Sequence, residues 1–294
     1  KFFKLKLPIT FFRPYTFLAL SYTYSITSYT FSFSHILAFY LSFYLSFYED
    51  FSNNYINKVT MQASHQLSSK KVALYLALLV LLFGLWVGKA NATVRYVTVG
   101  GTGTAPYTSW ATAGGNWQTV VNASASGDSV FVAEGTYLPA SGQSFSMKQG
   151  VKIFGGFATT GNPTFTQRNW QTNTTTLQGN GSRVITNNNN GLTAISELDG
   201  FTITGGSINA HGGGMYNHSC SPTIRNCKFI ANTANDYYGG GISNNNSSPS
   251  IINCEFAFNS ARHGAGMYNV DNSSPLIVGC SLTGNIASGN GGGL

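Results

Sequence analysis

Five ring-bearing residues in the second half of the chain have the types and spacing to hold a ligand. His211, Tyr238 and His263 occupy one position of a repeat of 25 to 27 residues, Asn290 follows in the same column, and Tyr216 and Tyr268 lie close by. Flat rings interleaved with amides stack on sugar rings and hydrogen-bond to hydroxyls, a chemistry that suits an extended polysaccharide on a long face. The spacing argues against a metal centre. Two ladder steps of parallel strand separate His211 from His263 by ~9.6 Å, too far for both to ligate one ion. The competing reading is that tyrosine simply suits an exposed strand surface.

Hydrolytic or eliminative chemistry on a polysaccharide would need clustered carboxylates and a nearby base. Placed on the repeat register, the charged residues do not cluster. Asp199 and Arg225 fall in one column on adjacent turns, as do Lys228 and Glu255, and each reads as an outward pair of opposite sign. Glu197, Asp236 and Asp271 share no column. No catalytic residue, metal ligand or cofactor site is therefore assigned.

The repeat that positions these residues runs from Leu198 to the end. Ile224-Arg225-Asn226-Cys227-Lys228-Phe229 returns as Ile251-Ile252-Asn253-Cys254-Glu255-Phe256 and as Ile277-Val278-Gly279-Cys280-Ser281-Leu282, with Leu198-Asp199-Gly200-Phe201-Thr202-Ile203 as a looser first copy. Met215, Ile242, Met267 and Leu294 keep the same step. Such a period, built from β-type residues with Gly and Asn punctuation, predicts stacked turns of a coil. Apolar residues at Ile224, Cys227 and Phe229 break alternation at Asn226, where Asn or Gly can adopt the left-handed conformation and turn a corner. Two further Asn columns are expected to bond along the coil axis: Asn232, Asn259 and Asn285, and Asn217, Asn244 and Asn269. Pro222, Pro249 and Pro275, each after Ser, mark another corner. Cys227, Cys254 and Cys280 should stack as small buried hydrophobes, with Cys220 outside their column. The run Asn187 to Asn190 reads as a loop tip. Trp117, Val120 and Val121, at i, i+3 and i+4, predict a short amphipathic helix covering the first turn.

The formal charge of +7 belongs to the N-terminal part: residues 1–92 carry +6 and residues 93–294 only +1. A nearly neutral body without a basic stripe argues against nucleic acid as a partner. Residues 1–60 read as an aromatic, low-complexity, non-native leader. Residues 61–92 read as a signal peptide: Met61, Lys70-Lys71, an apolar run from Val72 to Val87, then Ala90-Asn91-Ala92. The sequence stops inside a repeat at Gly291-Gly292-Gly293-Leu294, so a C-terminally truncated piece of a longer protein is expected.

The phrases Gly212-Gly213-Gly214-Met215-Tyr216, Gly239-Gly240-Gly241-Ile242 and Gly264-Ala265-Gly266-Met267-Tyr268, alternating with Phe229-Ile230-Ala231-Asn232 and Phe256-Ala257-Phe258-Asn259, resemble the repeats of polymorphic outer membrane proteins and of bacterial right-handed parallel β-helix surface proteins. Gly127-Asp128-Ser129-Val130-Phe131-Val132-Ala133-Glu134-Gly135-Thr136-Tyr137 and Gly155-Gly156-Phe157 resemble their opening turns. The resemblance implies an all-β, right-handed parallel β-helix of pectin-lyase-like architecture, with a cap region over 93–128 and repeats over 129–294. It also implies export to the cell surface or medium, with membrane association only through a C-terminal anchor or an uncleaved signal segment. The expected function is a non-enzymatic, adhesin-like protein whose partner is a polysaccharide or a host or cell-surface glycan. The alternative is a carbohydrate-active enzyme, a lyase or hydrolase of pectate-lyase type.

Overall fold

The computed structural model describes residues 92–294. The expected leader, and all but the last residue of the expected signal segment, lie outside the described residues. From Val94 onward the protein is a parallel β-solenoid of about six turns. Four sheets run along it, and every strand pairing within them is parallel. The longest holds seven strands, from Val94–Val97 to Leu276–Val278. The second holds six, from Gly135–Tyr137 to Ser281–Thr283. The third joins four strands, Ser207–Ile208 through Ile286–Ala287, and the fourth joins Ile185–Asn188, Met215–His218, Ile242–Asn245 and Met267–Val270.

Equivalent letters stack as the repeat predicts. Ile224 pairs with Leu198 on one side and Ile251 on the other, Phe229 with Phe256, and Met215 with Ile242. These residues are fully buried, and the Phe229 and Phe256 rings lie parallel with centroids 5.1 Å apart. A single turn cannot offset the entropy of ordering its own backbone, so each turn depends on contact with its neighbours. The helix Trp117–Ala123 closes the N-terminal end, burying Trp117, Val120 and Val121, with Asn116 as its N-cap.

Each corner has its own chemistry. Between the first and second sheets Asn226 and Asn253 sit at φ 52°, with Gly200 and Gly279 at 81° and 63° in the same column. Gly200 is required for a second reason: a Cβ there would collide with the Arg168 guanidinium. After the second sheet, Asn232, Asn259 and Asn285 form an internal amide ladder, each Nδ2 also donating to a backbone carbonyl of the preceding turn (Ile203, Phe229 and Phe256, 2.8–2.9 Å). Between the fourth and first sheets the serines before proline form a second ladder. Ser221 Oγ accepts from Ser248 N at 2.9 Å, and Ser248 Oγ accepts from Ser274 N at 3.0 Å.

The structure corrects two sequence expectations. Asn187 is not part of a loop tip: it belongs to the strand Ile185–Asn188 and is fully buried. It starts the ladder Asn187→Asn217→Asn244→Asn269, each Nδ2 donating to the next Oδ1 at 2.8–2.9 Å. An amide satisfied along the coil axis meets no penalty inside, so polarity alone does not mark a residue as external. The second correction concerns Asp199. It shares Arg225's column but does not pair with it; Arg225 binds Glu197 at 3.2 Å, while Asp199 is 5% exposed and holds Arg168 at 2.6 Å. Lys228 and Glu255 do pair, at 3.5 Å on the surface.

All four cysteines are free; Cys227, Cys254 and Cys280 stand in one file on successive turns as expected, but only Cys227 and Cys254 are buried, Cys280 being partly exposed on the last described turn. The Cys254 thiol is held well above its ordinary range by its hydrogen bond with Cys227 and by burial, and burial pushes Cys220 up to about 11. At pH 8 a thiol titrating near 11 is only ~0.1% thiolate. Cys220 and Cys254 of the native protein are therefore expected to react with a thiol-specific disulfide reagent at least ~100-fold more slowly than in protein unfolded in guanidinium. Rapid labelling of Cys220 or Cys254 in the native state would show that these two thiols are not buried.

Candidate functional site

The ring-bearing column sits at the corner between the third and fourth sheets. Gly212, Gly239 and Gly264 follow its members with φ of 74°, 73° and 55°, a conformation that glycine adopts without strain. The backbone turns there, and each preceding ring is left on the outer surface. The register is held by backbone hydrogen bonds: Gly212 N donates to Tyr238 O at 3.0 Å, Gly239 N to His263 O at 3.1 Å, and Gly264 N to Asn290 O at 3.0 Å.

His211, Tyr238 and His263 thus form one file, with ring centroids 4.9 Å and 5.1 Å apart. Tyr268 joins it from the fourth sheet, 4.6 Å from Tyr238. Asn290 N donates to His263 Nδ1 at 2.9 Å, which leaves Nε2 to carry the proton of the neutral ring. Tyr238, His263, Tyr268, Asn269 and Asn290 border an open recess of about 470 Å³.

Tyr216 stands apart from this group. Its column on the fourth sheet runs Thr186, Tyr216, Ser243, Tyr268, so one turn separates the two tyrosines. It lies parallel to His218 at 6.2 Å, and the Arg183 guanidinium sits 5.0 Å from its ring centroid. Arg183 was not legible as a site residue. It precedes Ile185, which pairs with Met215, and the equivalent position on later turns is Gly213 or Gly240, so the repeat carries no signal there. Burial disfavours the Arg183 charge, while burial and that charge both lower the His211 pKa. Arg183 Nε and His211 Nδ1 are buried and find no hydrogen-bond partner among the described residues.

Carboxylates are dispersed. Asp128 is bound by Thr93 N, Ala125 N and Arg95; burial raises its pKa, but these bonds and the Arg95 charge outweigh it and hold it below the usual range. Glu197, Asp199 and Glu255 are each paired with a cation. Among the described residues no three His, Cys, Asp or Glu side groups converge as a metal site, and no helix is long and apolar enough to cross a membrane.

Fold and surface together define the class of protein: a parallel β-solenoid carrying an aromatic-polar file along one corner. Residues 95–293 match the model of a family described as protein of unknown function (DUF1565), and the chain belongs to that family. No curated protein and no solved structure matches it.

Proposed function

We propose that the protein is an exported, non-enzymatic cell-surface β-solenoid of adhesin type that binds extended glycans along the corner file. The observation that carries this reading is the contiguity of His211, Tyr238, His263 and Tyr268, four rings within 4.6–5.1 Å of a neighbour on successive turns. Stacked sugars engage this surface ring by ring while Asn290 meets their hydroxyls. Export is supported by the charged, apolar and small-residue order between Met61 and Ala92. The near-neutral body fits a glycan partner better than a nucleic acid.

Binding to a glycan array tests the reading. Tyr238 touches His211, His263 and Tyr268, so Tyr238→Ala is expected to weaken binding about tenfold, equivalent to ~1.4 kcal/mol. Binding unchanged by this substitution would remove the file as the contact surface.

A further inference from the structure

Among the described residues, the half-buried arginines of this solenoid come with a carboxylate, except one. Arg95 pairs with Asp128 at 3.3 Å, Arg168 with Asp199 at 2.6 Å, and Arg225 with Glu197 at 3.2 Å. Arg183 has no described acid within ion-pair distance. Its guanidinium lies against the face of Tyr216, and its Nε is buried without an acceptor. Asp271, the acid that bears on the Tyr216 hydroxyl, is itself engaged by Asn245 Nδ2 at 2.8 Å. His211 Nδ1 is a second unpartnered nitrogen in the same neighbourhood, close enough for the Arg183 charge to bear on it.

A guanidinium withdrawn from water without a counter-charge is destabilising unless an anion arrives to satisfy it. Its planar fork matches the two oxygens of a carboxylate or sulfate. Arg183 also has the right address. It lies on the turn preceding His211, so Arg183, His211, Tyr238 and His263 occupy four successive turns. At ~4.8 Å per step they span ~14 Å along the coil.

We infer that Arg183, with Tyr216 beneath it and His211 beside it, is an anion subsite at one end of the ring file, and that the ligand is an acidic polysaccharide whose carboxylate or sulfate docks on the guanidinium. This rests on the reading of the file as a glycan surface and adds the charge class of the ligand.

Matched pairs of probes separate the two claims: alginate oligomers against their methyl esters for the carboxylate, and dextran sulfate against dextran for the sulfate. With the intact protein, the acidic member of at least one pair is expected to bind at least ~10-fold tighter than its neutral partner. Arg183→Gln should abolish that preference while neutral binding persists, and Arg183→Lys should restore it in part, because charge returns without the fork. Arg262→Gln, at an exposed arginine, should leave the preference intact. Equal binding of both members of both pairs by the wild type overturns the anion subsite alone and leaves the glycan reading standing. Binding of no member of either pair overturns both. A preference that survives Arg183→Gln, or is lost equally with Arg262→Gln, assigns it to general charge and overturns the subsite. If Arg183→Gln fails to give the wild-type circular dichroism, the wild-type ratios and Arg183→Lys still decide.

Discussion

Replacing Asn259 with leucine, which keeps the branched shape and the number of heavy atoms, is expected to lower the stability of the solenoid by about 4 kcal/mol. The Asn259 Oδ1 accepts from Asn232 N at 3.0 Å and from Asn232 Nδ2 at 3.1 Å, while its Nδ2 donates to Phe229 O at 2.8 Å and Asn285 Oδ1 at 2.9 Å. Leucine would strand one backbone N–H and one backbone C=O in a fully buried corner, at ~1–3 kcal/mol each, and break the amide ladder on both sides. Because turns are coupled only to their neighbours, the urea transition should also broaden or split as the turns beyond Asn259 lose their template. The exposed pair Asn253→Asn226, at 2.7 Å, serves as the contrast: Asn253→Gly should cost less than ~1 kcal/mol, since water replaces the lost bond and glycine keeps the left-handed φ of 52°. Equal effects at the two sites would show that burial of the ladder does not govern its contribution.

Asp199→Ala is expected to destabilise by ~3–5 kcal/mol, because it leaves the Arg168 charge enclosed without a counter-ion. Arg168 is held from several sides. Its Nε donates to Gly155 O, its Nη2 to Asp199 O at 2.9 Å and to Asp199 Oδ1 at 2.6 Å, and its guanidinium lies over Phe154 and Phe165 at 5.5 Å and 5.9 Å. Side-group exposures of 9% for Arg168 and 7% for Asp199 leave little room for water to compensate. Removing both charges with Arg168→Met and Asp199→Leu should recover part of the loss, since an apolar pair avoids desolvation of either ion but leaves the Gly155 and Asp199 carbonyls and Asn226 Nδ2 without these partners. Guanidinium denaturation of the two single variants and the double variant measures the coupling. A single-variant loss below ~1 kcal/mol would mean that the pair behaves as a surface salt bridge.

Both experiments touch features that the repeat revealed to very different degrees. Asn232, Asn259 and Asn285 recur at one step, so their ladder was readable from the letters alone: identical residues on stacked parallel strands must face one another. The same logic delivered the Cys227 file, the left-handed Asn226 corner and the file of His211, Tyr238 and His263, while helical spacing delivered the Trp117 cap. It failed at Asn187, because the turn holding it departs from the repeat spacing and a run of four asparagines resembles a surface loop.

What the sequence by itself determined was which letters lie above which, since a parallel ladder converts a fixed period into vertical columns. The tertiary structure alone decided which residues reach beyond their own column. Arg168 comes from the irregular segment after Phe157, folds back over the Asp199-Gly200 corner, and takes the partner that adjacency would have assigned to Arg225. Arg183 leans across to Tyr216 from a position where the following turns carry glycine or alanine. A long, flexible cation chooses its partner by distance and burial in three dimensions, and neither quantity is written in a one-dimensional repeat.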